Sequence, residues 1–299
     1  MAGVISTGNH PKALWPGIAA WFGASYKEHP EEYREIFEVL NSTKNYEEDV
    51  GLSGFGLAAI KAEGTAVGYD SESQKFTKRY TPTVYGLGYV ATREELEDNK
   101  YEEVSKRRAK RLKFSMRQTK EIVCANVLNR AETSGYTGGD GVVLMSTSHT
   151  STAGNWSNKL STAADLSEAS LEDLVIQISQ ALDDRGKNIA LRPKKLVIPV
   201  NLMFDAKRIL KSDGQSGSVT NDLNAMKGMF DFTVNHYLTD SDAWFMLTDC
   251  PDGMKMYERR AIEFVQDNDF DTENAKAKST MRFSVGWTDP RGLYGSLGA

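Results

Sequence analysis

Residues 92–132 read TREELEDNKYEEVSKRRAKRLKFSMRQTKEIVCANVLNRAE, and the architecture turns on this stretch. Thr92-Arg93-Glu94-Glu95 has the spacing of a capping box, in which the Thr hydroxyl accepts an orphan N–H and the Glu reaches back to the cap. A helical segment of about forty residues should follow, with an interruption near Asp98-Asn99. Leu112, Met116, Thr119, Val123 and Val127 are spaced to lie as a narrow apolar stripe along one face. A helix of roughly thirty residues spans about 45 Å, which suits a strut better than a compact globule. Between Lys106 and Lys120 the segment carries eight basic residues, among them Arg107, Arg108 and Arg111, and no acidic one. Like charges without acidic i+4 partners repel along a helix, so the strip calls for an acidic surface on another segment or subunit. Residues 28–49 offer one, with Glu28, Glu31, Glu32, Glu35, Glu38, Glu47, Glu48 and Asp49.

Upstream, residues 57–91 carry short β-prone runs around Gly68-Tyr69-Asp70-Ser71, with Phe76, Tyr80, Val84, Tyr85 and Tyr89 following. The pattern predicts a long two-stranded projection with few core-forming aliphatics, and such a hairpin is marginal without a partner surface. Tyr33, Ile36, Phe37 and Leu40 are spaced as a helical stripe, so 28–40 is expected to be a helix that begins at His29-Pro30. Residues 1–25 read as an extended arm whose Trp15, Trp21 and Phe22 need a surface to lie on.

Downstream, a Gly/Ser/Thr-rich stretch from Ser134 to Asn158 contains one expected strand, Val142–Met145. A second helix is expected over 165–186, with Leu171, Leu174, Val175, Ile178 and Leu182 buried and Gly186 just past its end. Strands are expected at Lys195–Val200, Phe230–His236, Ala243–Leu247, Ala261–Val265 and Met281–Gly286, with a short helix at Asn201–Leu210. Strands and helices mix without regular βαβ alternation, which points to the α+β class.

The 299 residues include 40% apolar and 26% charged ones, with a net charge of −5, which excludes a disordered tail and argues against a dedicated nucleic-acid binder. No window is apolar enough to span a membrane, and no signal-peptide pattern opens the chain, so cytoplasmic synthesis is expected. Two cysteines, Cys124 and Cys250, cannot staple a scaffold or build a structural zinc site. None of the four histidines has metal-ligand spacing, and His149 is expected to organise a loop. Gly135–Gly141 opens a strand instead of a helix, so it is no phosphate cradle. The run from Asp267 lacks the Gly and the bidentate Glu of a calcium loop. No catalytic, cofactor-binding or metal-binding set emerges.

The order of these parts resembles the major capsid proteins of tailed double-stranded-DNA phages, which share the Johnson fold, and is most similar to the Mu-like head subunit group. Val142–His149 with Gly154 and Ser157-Asn158 looks like the family's connection from spine helix to inserted domain. Leu191–Val200 resembles its buried strand before a short helix, and Asn221–Leu247 its return strands. The resemblance implies an N-terminal arm and helix over 1–56, an extended loop over 57–91, and a peripheral domain with the spine over 92–159. It further implies an axial domain over 160–250 and a return to the peripheral domain over 251–299. Trp15, Trp21, Phe22, Glu31, Glu35, Tyr69, Phe76, Tyr80, Arg107, Arg108 and Arg111 are then expected at contacts between subunits.

The implied function is self-assembly, as hexamers and pentamers, into an icosahedral phage head enclosing double-stranded DNA without sequence-specific binding. Implied partners are a portal protein at one vertex, a decoration or cement protein and a separate scaffold protein, because residues 1–50 are too short for a built-in scaffold. No cofactor, membrane or enzymatic activity is expected, and the place of action is the virion after synthesis in a host bacterial cytoplasm. Two other readings stay open: an encapsulin-like nanocompartment shell on the same fold, and an α+β enzyme with an unrecognised site.

Overall fold

Why the chain needs a strut becomes clear from what packs along it. In the computed structural model, which describes residues 30–98, 101–214, 223–269 and 271–299, α1 (Arg93–Asp98) precedes α2 (Tyr101–Asn129). Thr92 Oγ1 accepts the Glu95 N–H at 3.3 Å, as a cap should. The buried face of α2 is Met116, Lys120, Cys124 and Leu128, flanked by Glu121 and Ala125. Thr119, Val123 and Val127 are only half-buried. Leu112 and Met116 are buried as expected, but from Thr119 onward the stripe is one step out of phase, because two of the buried positions, Lys120 and Glu121, are charged.

Strands β1 (Glu38–Asn41), β2 (Glu47–Leu52), β3 (Gln74–Tyr80) and β4 (Thr83–Ala91) precede the spine. After it come β5 (His149–Ser151), β6 (Gly154–Trp156), α3 (Glu168–Ser179), β7 (Pro193–Ile198), α4 (Met203–Lys211) and β8 (Asp231–Val234). The chain closes with β9 (Trp244–Thr248), β10 (Met254–Asn268), β11 (Ala275–Trp287) and β12 (Leu293–Ser296). One sheet has the order β1-β10-β11-β4, a second β12-β9-β7-β8, and two-stranded pairs join β2 to β3 and β5 to β6. The mixture is α+β.

The second sheet is buried on both faces, and its sequence alternates accordingly. Leu196, Ile198, Trp244, Met246 and Tyr294 face a core with α3 and α4. Val197, Phe245, Leu247 and Leu293 face the other core, with α2 and the first sheet. This alternation is the period-2 geometry of a strand working for two layers at once. Gly295 permits the tight β12–β9 contact, because a Cβ there would stand 2.5 Å from the Trp244 carbonyl oxygen.

Several expectations are corrected. The segment expected as a helix over 28–40 has, in its described part, one 3-10 turn (Glu32–Glu35) and then β1, which pairs in parallel with β10. Tyr33, Ile36 and Phe37 are buried, but Val39 and Leu40 align with Met256 and Tyr257, so tertiary pairing overrides the local period. The hairpin is β2–β3, starting at Glu47; β4, expected as its return strand, pairs with β11. Residues 53–73 between β2 and β3 form no strand, since their Gly, Ala and Ser offer little β-propensity. The second helix stops at Ser179, and Gly186 (φ 80°) instead sits in a turn where Asp183 Oδ1 accepts the Arg185 and Lys187 N–H groups at 2.8 Å. Val142–Met145 is not a strand; Val143 alone bridges to Thr137. The last strand, β12, pairs with β9 in the second sheet, while β10 and β11 lie in the first.

Candidate assembly surfaces

The stem of the β2–β3 hairpin is locked into its own subunit. Asp49 accepts from Thr288 Oγ1 at 2.6 Å, Lys255 Nζ at 2.8 Å and the Tyr257 hydroxyl at 3.1 Å. Burial alone would raise the Asp49 carboxyl, but these bonds hold it below its usual range. Burial and the Asp49 charge push Tyr257 up to about 12. Tyr80 shares a 2.7 Å hydrogen bond with Thr288 and tilts against Tyr257 at a 4.9 Å ring separation. The network joins β2 to residues more than 200 positions away.

Beyond the stem the loop is fastened only along its lower part. Ser53 N–H donates to the Ser73 carbonyl at 3.0 Å, and Ser73 N–H to Ser53 Oγ at 3.0 Å. Asp70 accepts the Gly56 N–H at 2.6 Å and Arg185 Nη1 at 2.7 Å; these and the Ser71 N–H lower its carboxyl to about 2. Lys187 Nζ donates to the Phe55 carbonyl, and Lys75 pairs with Asp184. The turn after α3 thus aims the loop. The loop itself leaves Phe55, Leu57, Ile60, Val67 and Tyr69 largely in solvent, with Leu57 at 85% and Ile60 and Tyr69 near full exposure. A contiguous sequence segment that exposes this much apolar surface signals a partner.

A second junction ties the N-terminal segment to the spine. The Glu121 carboxylate accepts the Glu32 and Tyr33 N–H groups, both at 3.0 Å, satisfying donors that open the 3-10 turn. Its burial, with Glu31 and Glu32 nearby, outweighs those bonds and raises its carboxyl to about 7. Lys120 runs under the Tyr33 ring and donates to Glu258 at 2.8 Å. The inserted region is joined through Asn158, whose Nδ2 donates to the Leu144 and Leu293 carbonyls at 2.7 and 3.1 Å and whose Oδ1 accepts Ser146 N–H at 2.9 Å. His149 does organise its loop: Nδ1 lies 2.6 Å from Asp140, and the ring stacks on Trp156.

The residues expected between subunits fall in several places. Trp15, Trp21 and Phe22 lie outside the described residues. Tyr69 is exposed on the loop tip, and Phe76 is half-buried, packed where a Cβ on Gly139 would touch its ring. Tyr80 is corrected to a core residue of its own subunit, 2% exposed. Glu31 bonds Tyr33 and Arg34 and lies 3.7 Å from Arg117; Glu35 pairs with Lys195. Arg107 lies in α2 with its side chain outside the described residues, Arg108 pairs with Glu95, and Arg111 is exposed. The acidic segment is therefore engaged largely in cis: Glu32 with His236, Glu48 with Arg79 and Asp49 with Lys255, in addition to Glu31 and Glu35. Only the Glu31–Arg117 contact joins it to the basic strip by an ion pair among the described residues. Sequence reading missed Phe55, Leu57 and Ile60, although their apolar character inside a Gly/Ala/Ser run was a usable signal. It also missed the Asp49 network, which no local pattern announces.

The described residues contain no group of three side chains placed to hold a metal ion, and none of the described helices is long and apolar enough to cross a membrane. Burial raises both free thiols, Cys124 and Cys250. A strut helix, two four-stranded sheets packed on a shared core and a projecting hairpin with exposed apolar side chains make up a tile-like fold. The family described as phage capsid protein matches residues 74–296, and the chain belongs to that family. It is a phage capsid protein, a structural subunit of the virion. The fold is similar to that of the capsid of Myoviridae phage XM1, with 12% identity, all of both chains covered and a TM-score of 0.54. It is also similar to the structure from Mycobacterium phage Adephagia, with 10% identity, 99% of each chain covered and a TM-score of 0.56. The capsid of bacteriophage JBD30 decorated with minor capsid protein trimers matches at 13% identity, covering 79% of this chain and all of that one, with a TM-score of 0.57. No curated protein sequence matches the chain.

Proposed function

We propose that the subunit forms the hexamers and pentamers of a phage head around double-stranded DNA, with the 53–73 loop lying across a neighbouring subunit. The observation that carries this reading is the loop itself: its stem is satisfied within the chain, while five large apolar side chains beyond it face solvent. Their burial in a neighbour supplies roughly 25 cal/mol per Å² of apolar surface, so subunits gain stability collectively. Residues 160–250 supply the contacts at the five- and sixfold centres, and the exposed basic residues of α2, Lys110 and Arg111 among them, face DNA or a neighbour. A separate scaffold protein guides assembly after synthesis in the host cytoplasm, and a portal occupies one vertex. The minor capsid protein trimers on the JBD30 shell support a comparable decoration here. Within the family we place the chain nearest the Mu-like head subunits, and we assign it no catalytic role.

Negative-stain microscopy of the protein expressed with and without its neighbouring genes tests the reading. Closed shells of uniform size, filled with DNA in infected cells, are expected. A stable monomer under every assembly condition would overturn the assembly reading, and DNA-free particles holding a bound protein would favour a nanocompartment.

A further inference from the structure

The sheet β12-β9-β7-β8 carries a different helix toward each of its edges. α3 packs against β12 at one edge and α4 against β8 at the other, and both bury their inner faces in the same core. Leu171, Leu174 and Ile178 seat α3, while Ala206 and Leu210 seat α4, so both outer faces are rigidly presented.

Those outer faces have opposite charge. On α3, Glu172, Asp173 and Ile176 share one exposed face by their spacing, with Ile176 at 54% exposure. Neither acidic residue has an ion-pair partner among the described residues. On α4, Phe204, Lys207, Arg208 and Lys211 line a shallow groove of about 440 Å³, and Phe204 is 63% exposed. Lys207 also lacks an ion-pair partner among the described residues. Arg208 and Lys211 make only exposed contacts, with Asp205 at 3.2 Å and Asp231 at 3.6 Å, and exposed pairs of this kind contribute little. Each face is thus an apolar side chain beside a net charge of one sign, Asp205 offsetting part of the basic side of α4, and the two net signs are complementary.

We infer that the Phe204–Lys211 face of α4 docks on the Glu172–Ile176 face of α3 in a second copy of this chain. Phe204 of one copy packs against Ile176 of the next, while Lys207 and Arg208 meet Glu172 and Asp173. Because the two faces differ and lie toward opposite edges of one sheet, the contact is head-to-tail and repeats around a ring. The inference rests on the shell-subunit reading and names which surfaces close the ring.

A charge swap tests it. Lys207→Glu with Arg208→Glu is expected to lower particle yield about tenfold or more at low salt, as for like charges forced together at an interface. Circular dichroism and urea midpoint of the unassembled subunit should not change. Adding Glu172→Lys and Asp173→Lys to the same chain should restore most of the yield. In a separate variant, Phe204→Cys with Ile176→Cys should give, on oxidation, a reducible ladder of oligomers ending at a closed ring. This second variant keeps the test decisive if the charge-reversed chain fails to fold. Unchanged yield after reversal, no rescue by the swap, or no ladder from a wild-type-like assembly would overturn the inference and leave the shell reading standing. A wild-type chain that never assembles would sink the shell reading itself.

Discussion

The stem and the tip of the β2–β3 hairpin are continuous in sequence and opposite in physics. In the stem, Asp49, Tyr80, Lys255, Tyr257 and Thr288 satisfy one another inside the subunit. In the tip, Leu57, Ile60 and Tyr69 are left exposed by the described residues. A segment can therefore be well fastened at its root and unfinished at its end. That difference separates what a monomer needs from what an assembly needs, because buried polar groups must be paired for the subunit to fold, whereas exposed apolar groups are stabilised only on association.

Breaking the stem should have the largest effect on the subunit. Asp49→Ala leaves Lys255, 5% exposed, with Asp252 as its remaining carboxylate and strips the Thr288 and Tyr257 hydroxyls of their acceptor. A loss of about 2–4 kcal/mol is expected in urea unfolding of the unassembled subunit, because breaking a buried pair costs more than the pair contributes. An unfolding midpoint like that of the parent would show that the stem is held by packing alone.

Breaking the tip should do the reverse. Leu57→Ser with Ile60→Ser should change subunit stability by less than about 0.5 kcal/mol, since both side chains are solvated there. Particle yield, read by sedimentation, should fall severalfold or more. Equal losses in both assays would erase the distinction between root and tip.

The junction at Glu121 gives a smaller, pH-dependent effect. Its carboxyl is raised to about 7, so between roughly pH 4.5 and 7 the native state holds a proton that the unfolded chain has released. Stability from this group is therefore greatest at the acid end of that window and declines as pH rises through 7. Glu121→Gln should flatten the dependence, at a pH-independent cost of about 1–3 kcal/mol because its amide nitrogen cannot accept the Glu32 or Tyr33 N–H that the carboxylate accepts. A variant whose unfolding free energy keeps the parental slope between pH 5 and 8 would count against this origin.

The smallest effect should come from Arg185→Ala, which removes the 2.7 Å contact to Asp70 that aims the loop. Subunit stability should drop by about 0.5–1 kcal/mol, as expected for a partly exposed charged contact. Amide exchange across 53–73 should quicken while the stem stays protected. Protection unchanged in the loop would mean that Ser53 and Ser73 alone hold it.

How much of this was legible beforehand follows from the range of each interaction. The spine helix was legible because its cap, its length and the burial of Leu112 and Met116 follow from local properties, but the phase of its C-terminal half was not, since Lys120 and Glu121 are buried by partners at Glu258 and at the Glu32 and Tyr33 amides. The β7 and β9 strands were legible because Leu196–Ile198 and Trp244–Leu247 are continuous apolar runs, which a loop would not carry. The helix expected over 28–40 failed because Val39 and Leu40 find their pairing on β10, more than 200 residues on. Of the residues expected at contacts, Tyr69 stands exposed on the loop tip and Tyr80, eleven positions later, is core. Tyr69 lies in a Gly/Asp/Ser turn and Tyr80 ends a strand, and the contacts of Tyr80 with Thr288 and Tyr257 are what bury it.

Local residue patterns alone carried the α+β class, the capped spine and the buried strands of the second sheet. Those features rest on propensity, periodicity and residue chemistry within a few turns of chain. Tertiary structure alone decided where the hairpin begins, which acids are already paired in cis, and which apolar and charged faces remain for another copy. Such outcomes depend on contacts between residues far apart in the chain, whose free energy is invisible until folding brings them together.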